Sequence, residues 1–378
     1  MANTLTDLLP DLYEGLQVVS REATGMISAV NTSHSMARAA KNETVRIPLA
    51  RAESAVDATP AQQAPDNGDT TVDNVSMTIN KFRAVPVRFS GEDEKGLSNG
   101  GIFTNVRANR FAQAMRTLVN EIEADLWAEG YKSASRAYGT AGTTPFGTAG
   151  DLSDLAGVAR ILDENGAPKT DRQLVIGHAA LANLRGKQSV LFKVNEAGSM
   201  DMLREGMTDR LQGMALRHSD AVGVHTKGAG TSYQLSAAGA VGDTTINVDT
   251  GSGTLLAGDV VTFAGTTDKY VANTALSGGV FTIGRPGLLA IEADNDAVTI
   301  GDNYTANLAF DRSAIHLATR MIASGNDAAD DVVQITDPIT GLTFEVASYG
   351  QYLQRRYEVR LAWGVLASQS EHIGLLIG

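Results

Sequence analysis

Between Ile102 and about Ser135 the apolar residues fall on one face of a single long helix: Ala114, Leu118, Ile122 and Leu126 recur every four residues, with Phe111 and Met115 beside them. Roughly 30 residues in this conformation make a rod about 45 Å long, and a fold that holds such a rod has to be laid out along it. The charges of the rod run against its dipole. Arg107, Arg110 and Arg116 come early, near the positive end, while Glu121, Glu123, Asp125 and Glu129 come late. Each misplaced charge costs about a few tenths of a kcal/mol. Either these residues form a solvated face, or partners on neighbouring subunits compensate them. On the second reading Arg107, Arg110, Glu121 and Glu123 are interface residues.

At 378 residues the chain exceeds the size at which one core keeps growing, so more than one domain is expected. Leu5 to Met36 reads as an arm with helical stretches, its Leu8, Leu12, Leu16 and Val19 spaced by three and four. Val45 to Ala50 and Val75 to Phe89 read as strands; in the second, Val75, Met77, Ile79, Val85, Val87 and Phe89 all take odd positions. The stretch RAESAVDATPAQQAPDNGDTTVDN between them has no apolar period and is longer than connections in compact domains. It is either a surface loop or an extension across a neighbouring subunit. In the second case its charged residues Arg51, Glu53, Asp66 and Asp69 are interface residues.

After the long helix comes the loop GTAGTTPFGTAG, then Asp151 as the expected N-cap of a helix carrying Leu152, Leu155, Val158 and Leu162, stopped at Asn165-Gly166. QLVIG, Gln173 to Gly177, is a buried strand, and a helix with Leu181 and Leu184 follows, which makes this a mixed α/β region. Residues 229–301 differ in texture: twelve are glycine, none is methionine, and only Lys269 and Arg285 are basic against seven acidic residues. The short runs SYQL, TTINV, DVVTF, KYV, VFTI and AVTI between turns predict a small β-barrel or sandwich inserted into the larger fold. Beyond it, Asp311 as N-cap and Ala314, Ile315, Ala318 and Ile322 at helical spacing predict another helix. DPITG then turns one strand into LTFEV, and Tyr357, Val359, Leu361 and Trp363 alternate with Glu358 and Arg360 along a last half-buried strand.

No catalytic, cofactor-binding or metal-binding residues can be assigned. The six histidines are scattered without an HExxH or similar pair, and His316 reads as a packing or surface residue. No phosphate loop is present, and EADND, Glu292 to Asp296, lacks the spacing and glycine of a calcium loop. Without cysteine there are no disulfides or thiolate metal sites. No apolar run nears the roughly 18 residues of a membrane span, and the N-terminus lacks the layout of a secretion signal, so cytoplasmic synthesis is expected. A net charge of −12 argues against tight non-specific nucleic-acid binding and suits the wall of a container that must fill and release.

The order of these elements, with VRIPLARAES, VGDTTINVDTGSGTLLAGDVVTFAG and LAWGVLASQSEHIG as the best local matches, resembles the major capsid proteins of tailed bacteriophages. The resemblance implies an α+β fold of the Hong Kong phage type. More narrowly, it is to the group of short-tailed Salmonella transducing phage coat proteins, which carry an inserted β-domain. It implies an N-terminal arm (1–44), an extended β-hairpin loop (45–90), a spine helix with a peripheral and axial α/β region (91–225), an inserted β-barrel domain (226–303), and an axial domain with C-terminal strands (304–378). By the same resemblance the chain would form pentamers and hexamers of an icosahedral virion shell around double-stranded DNA, assembled in the bacterial cytoplasm with a separate scaffolding protein and a portal protein. It would bind DNA without sequence preference and would not bind membrane. No lysine and asparagine pair for a subunit crosslink can be identified. An encapsulin-like compartment shares the fold, and another phage structural protein would account for the β-rich insert alone.

Overall fold

The computed structural model describes residues 22–49, 60, 73–99, 103–188, 210–323 and 329–378. The chain enters through a one-turn helix α1 (Gly25–Ala29), whose Met26, Ile27 and Ala29 are buried, and continues as strand β1 (Asn31–Ala39). The helical reading of the arm therefore ends at Val30, because the backbone from Asn31 on finds a strand partner. Leu8, Leu12, Leu16 and Val19 lie outside the described residues. Strands β2 (Glu43–Leu49) and β3 (Asp73–Ile79) form an antiparallel hairpin, and β4 (Lys81–Ser90) follows. The single strand expected over 75–89 is thus two, broken at Asn80, although Met77, Ile79, Val87 and Phe89 are all buried as the alternation requires.

A short helix α2 (Gly91–Asn99) leads to the long helix α3 (Phe103–Lys132), 30 residues in one piece. Phe111, Ala114, Met115, Leu118, Ile122 and Leu126 make up its fully buried stripe, as the spacing predicts. Strand β5 (Arg136–Gly139), helix α4 (Ser153–Glu164), strand β6 (Arg172–Ile176) and helix α5 (His178–Lys187) give the expected α/β region, with all five residues of β6 buried. Leu152, and not Asp151, takes the cap position of α4; the Asp151 carboxylate still accepts the Ser153 N–H at 2.8 Å. Gly166 ends this helix in the left-handed region at φ 73°. Strands β7 (Arg210–Leu211), β8 (Met214–His218) and β9 (Val224–His225) complete the region.

Residues 229–301 hold six strands at the predicted runs: β10 (Tyr233–Leu235), β11 (Thr245–Asp249), β12 (Val260–Phe263), β13 (Lys269–Val271), β14 (Val280–Thr282) and β15 (Ala297–Ile300). They enclose an apolar cluster of their own, with Tyr233, Ile246, Phe263, Tyr270 and Phe281 at its centre. The stretch is nonetheless joined to the rest of the chain by sheet pairing, since Lys269 and Tyr270 of β13 face Ala137 and Arg136 of β5.

Strand β16 (Tyr304–Asp311) pairs with β9 as the chain leaves this stretch, so the two ends of residues 226–303 are hydrogen-bonded neighbours. The predicted helix after Asp311 is a strand. Asp311 does cap, but only a 3-10 turn, Arg312–Ala314, after which β17 (Ile315–Ile322) runs between β1 and the strand over Gln354–Ala367. A strand covered on both faces is apolar at consecutive positions, and that pattern also satisfies a helical spacing. Strands β18 (Asp331–Thr336), β19 (Thr343–Gln351) and β20 (Gln354–Ala367) form a meander, and β21 (Ile373–Ile377) closes the chain.

Two sheets result. One has the order β1-β17-β20-β19-β18 with β4 also on β20; the other runs β14-β11-β10-β15-β12-β13-β5-β21-β16-β6-β8-β7, with β9 on β16. Helix α3 binds them together. Its Phe111 ring meets Tyr357 of β20 edge to face at 5.3 Å, and the Trp127 indole N–H donates to Ala306 O of β16 at 2.9 Å. Each apolar side chain so buried contributes about 1.5–3 kcal/mol. Strand β3 crosses β20 so closely that a Cβ on Gly364 would lie 2.4 Å from Thr78 O.

Candidate assembly interface

The late carboxylates of α3 have partners inside their own subunit. Glu123 is 2% exposed; its two oxygens accept the Ile27 N–H at 2.8 Å, the Met26 N–H at 3.0 Å and the Ser219 hydroxyl at 2.6 Å. Burial pushes its pKa up, while these three donors act in the opposite direction. Glu121 accepts from Arg83 of β4 at 2.8 Å, with Lys81 3.9 Å away. Asp125 accepts the Trp363 indole N–H at 2.9 Å and lies 3.3 Å from Lys81, and Glu129 accepts the Ala367 N–H at 3.2 Å. Glu123 is thus enclosed within its own subunit and does not face a neighbour, whereas Glu121, paired with Arg83, remains part-exposed. The unfavourable dipole is offset by β4, β20 and α1 of the same chain, none of which is adjacent to α3 in the local spacing from which the charges were read.

The early basic residues divide. Arg116 forms a two-point ion pair with Glu22, one contact being Nε to Oε2 at 2.6 Å, which holds Glu22 down at about 2. Arg107 is half-buried and hydrogen-bonds the Tyr357 hydroxyl, and Arg110 stands exposed. Arg51, Glu53, Asp66 and Asp69 lie outside the described residues. Of the eight predicted interface residues, the structure thus leaves Arg110 as a plainly exposed charge on α3.

Among the described residues the surface offers little to small-molecule chemistry. An open polar crevice of about 930 Å³ lies between the loop after β5 and the turn before β13. Two of its charged groups serve the backbone, Asp154 accepting the Phe146 N–H at 2.7 Å and Lys269 donating to Gly139 O, while Arg136 and Arg160 pair with Glu164. His225 and Asp259 make a buried 2.8 Å contact, with His225 packed between the Tyr131 and Tyr304 rings. His316, on β17, sits between Asn31 Nδ2 at 3.3 Å and Ser368 Oγ at 3.1 Å. With its Nδ1 accepting from Asn31, its Nε2 donates to Ser368 and cannot serve that hydroxyl as a base. Among the described residues, no three His, Asp or Glu side chains could hold a metal ion, and no helix is long and apolar enough to cross a membrane.

Exposed apolar side chains are the feature that charge reading missed. Tyr352 and Leu353 at the β19–β20 turn are 88% and 75% exposed, and Ile339 at the β18–β19 turn is 65% exposed. The signal was available in GQYLQ, a turn between two strands filled by large apolar residues where glycine and asparagine belong.

No protein-family model matches the chain, and no curated protein matches it. Solved structures do. The capsid structure of the cyanophage P-SCSP1u matches with a TM-score of 0.50 at 12% identity, over 95% of this chain and 90% of that one. The chain has a phage capsid fold. Mycobacterium phage Che8 matches at 11% identity over 94% of this chain and 92% of that one, with a TM-score of 0.48. A virus-like particle from Pyrococcus furiosus matches at 11% identity over 97% of both chains, with a TM-score of 0.42. Within this capsid fold, α3 is the long element against which both sheets pack.

Proposed function

We propose that the chain is a major capsid protein, which self-assembles as pentamers and hexamers into the icosahedral shell around the double-stranded DNA of a tailed phage. The observation that carries this reading is the likeness of the whole chain, 95% of it, to a capsid structure. The absence of any catalytic arrangement among the described residues and the exposed apolar turns fit a protein whose work is contact with its own copies.

On this reading residues 226–303 are an inserted β module of the kind found in the short-tailed Salmonella transducing phage group, supported by the separate apolar cluster and the adjacent ends at β9 and β16. The stretch with Arg51, Glu53, Asp66 and Asp69 lies over an adjacent subunit, and a separate scaffolding protein and a portal protein act in assembly. The acidic chain holds DNA without sequence-specific contacts. The contents of nuclease-treated particles, isolated from the cells that make them, test the reading. Protected double-stranded DNA of uniform length is expected; enclosed protein with no protected DNA would overturn it in favour of an encapsulin-like compartment.

A further inference from the structure

Within the β-rich stretch 229–301, residues 239–243 and 288–292 lie antiparallel as a small ribbon. The Gly239 N–H donates to Glu292 O at 3.0 Å, the Glu292 N–H to Gly239 O at 3.1 Å, and the Gly242 N–H to Leu288 O at 2.8 Å. The ribbon is held from beneath: the Leu288 side chain is buried, and the Leu289 N–H donates to the Tyr270 hydroxyl at 3.0 Å. Because Leu288 and Glu292 are buried, alternation turns Leu289 and Ile291 to the outer side. Ile291 and Val241 are 75% and 62% exposed, and Leu289 and Ala240 are exposed as well. Apolar side chains grouped on a fixed backbone and rimmed by charge mark a contact site, unlike apolar residues scattered singly over a surface.

The rim is acidic. Asp243 closes the turn at one end of the ribbon, its carboxylate accepting the Ala240 N–H at 2.7 Å. At the other end Asp296 accepts the Ala293 N–H at 2.7 Å, with Asp294 exposed in the turn so closed. Burial pushes the pKa of Glu292 up, and the nearby charges of Asp296 and Asp268 push it the same way, so the field at the ribbon is negative. The two basic residues of the stretch are engaged elsewhere. Arg285 borders a crevice with Ser368, Ser370 and Glu371, and the Lys269 ammonium donates to Gly139 O.

An apolar strip in a negative field selects its partner by charge. The phosphates of nucleic acid and anionic lipid headgroups are repelled, and two copies of the same face would bring like charges together. We propose that this ribbon docks a separate basic protein, one whose own apolar contact residues are ringed by Lys or Arg. The proposal goes beyond the shell reading and does not rest on it, since the ribbon belongs to the single subunit.

The probe is a synthetic amphipathic helix with leucines on one face and lysines on the other, titrated against the full-length chain by fluorescence anisotropy, beside its counterpart with glutamate in place of lysine. The lysine helix is expected to bind, more weakly as salt rises, and the glutamate helix not to bind. Leu289→Ser combined with Ile291→Ser should weaken binding at least about tenfold while the unfolding midpoint stays unchanged. Val241→Ser, at the exposed turn, repeats the test at a second position should the double variant prove less stable. Equal binding by wild type and these variants would overturn the proposal, because the helix would then be held by general charge alone. Failure of the lysine helix to bind, or binding of the glutamate helix, would overturn it too. So would sedimentation of the wild-type chain as dimers that the double variant abolishes, which would make a second copy the occupant.

Discussion

The carboxylate of Glu123, in the later half of α3, accepts the backbone N–H of Ile27 at 2.8 Å and so fixes the entry of the chain onto its long helix. Replacing it with lysine leaves a buried ammonium facing N–H donors, a loss on the order of 3–5 kcal/mol. Glu123→Lys is therefore expected to yield little folded subunit, and the solubility and unfolding midpoint of the variant check this before any question of assembly arises.

Glu123→Gln keeps one acceptor and costs about 1–3 kcal/mol. Its pH dependence has a definite sign. Burial raises the folded-state pKa of Glu123 above its unfolded value, so the stability linked to this group is fully present below the unfolded pKa and fades as pH rises through the folded one. The stability gap between wild type and Glu123→Gln should narrow from acid to neutral pH in urea unfolding. A gap that widens would show that the hydrogen bonds outweigh burial.

Glu121 is a contrasting case, part-exposed beside Arg83 and Lys81. Glu121→Gln is expected to cost no more than about 1 kcal/mol of subunit stability and to leave particle yield unchanged. Thermal unfolding and sedimentation of assembly reactions measure the two quantities separately.

Glu22 carries the opposite pH sign. Arg116 holds its pKa at about 2, below the unfolded value, so the stability of this pair is present above the ordinary carboxylate range and is lost as pH falls towards 2. Arg116→Ala should return the Glu22 titration, followed by carboxyl NMR, to the usual range near 4.

How much of this the sequence displayed depends on the distance over which each feature is determined. The buried stripe from Phe111 to Leu126 and the alternation in β20 are local, and residue spacing alone reveals them. The six runs between 229 and 301 were likewise legible because turns punctuate them. Ile315 to Ile322 was misread because its strand character comes from β1 and β20, each remote in sequence. The partners of the late α3 charges were hidden for the same reason: Glu123 and Asp125 are satisfied by residues about 100 and 240 positions away.

Gly364 shows how closely β3 and β20 approach. An added methyl would sit 2.4 Å from Thr78 O, a backbone atom that cannot move alone. Gly364→Ala should cost about 1–3 kcal/mol, seen as a lower denaturant midpoint, and should disturb the base of the β2–β3 hairpin.

Electron microscopy of the purified chain after assembly tests the central claim most directly. Closed angular shells of uniform diameter, with pentameric and hexameric clusters resolved on their surface, are the predicted result. A protein that stays monomeric, or forms only filaments or amorphous aggregates, with or without scaffolding protein, would contradict it.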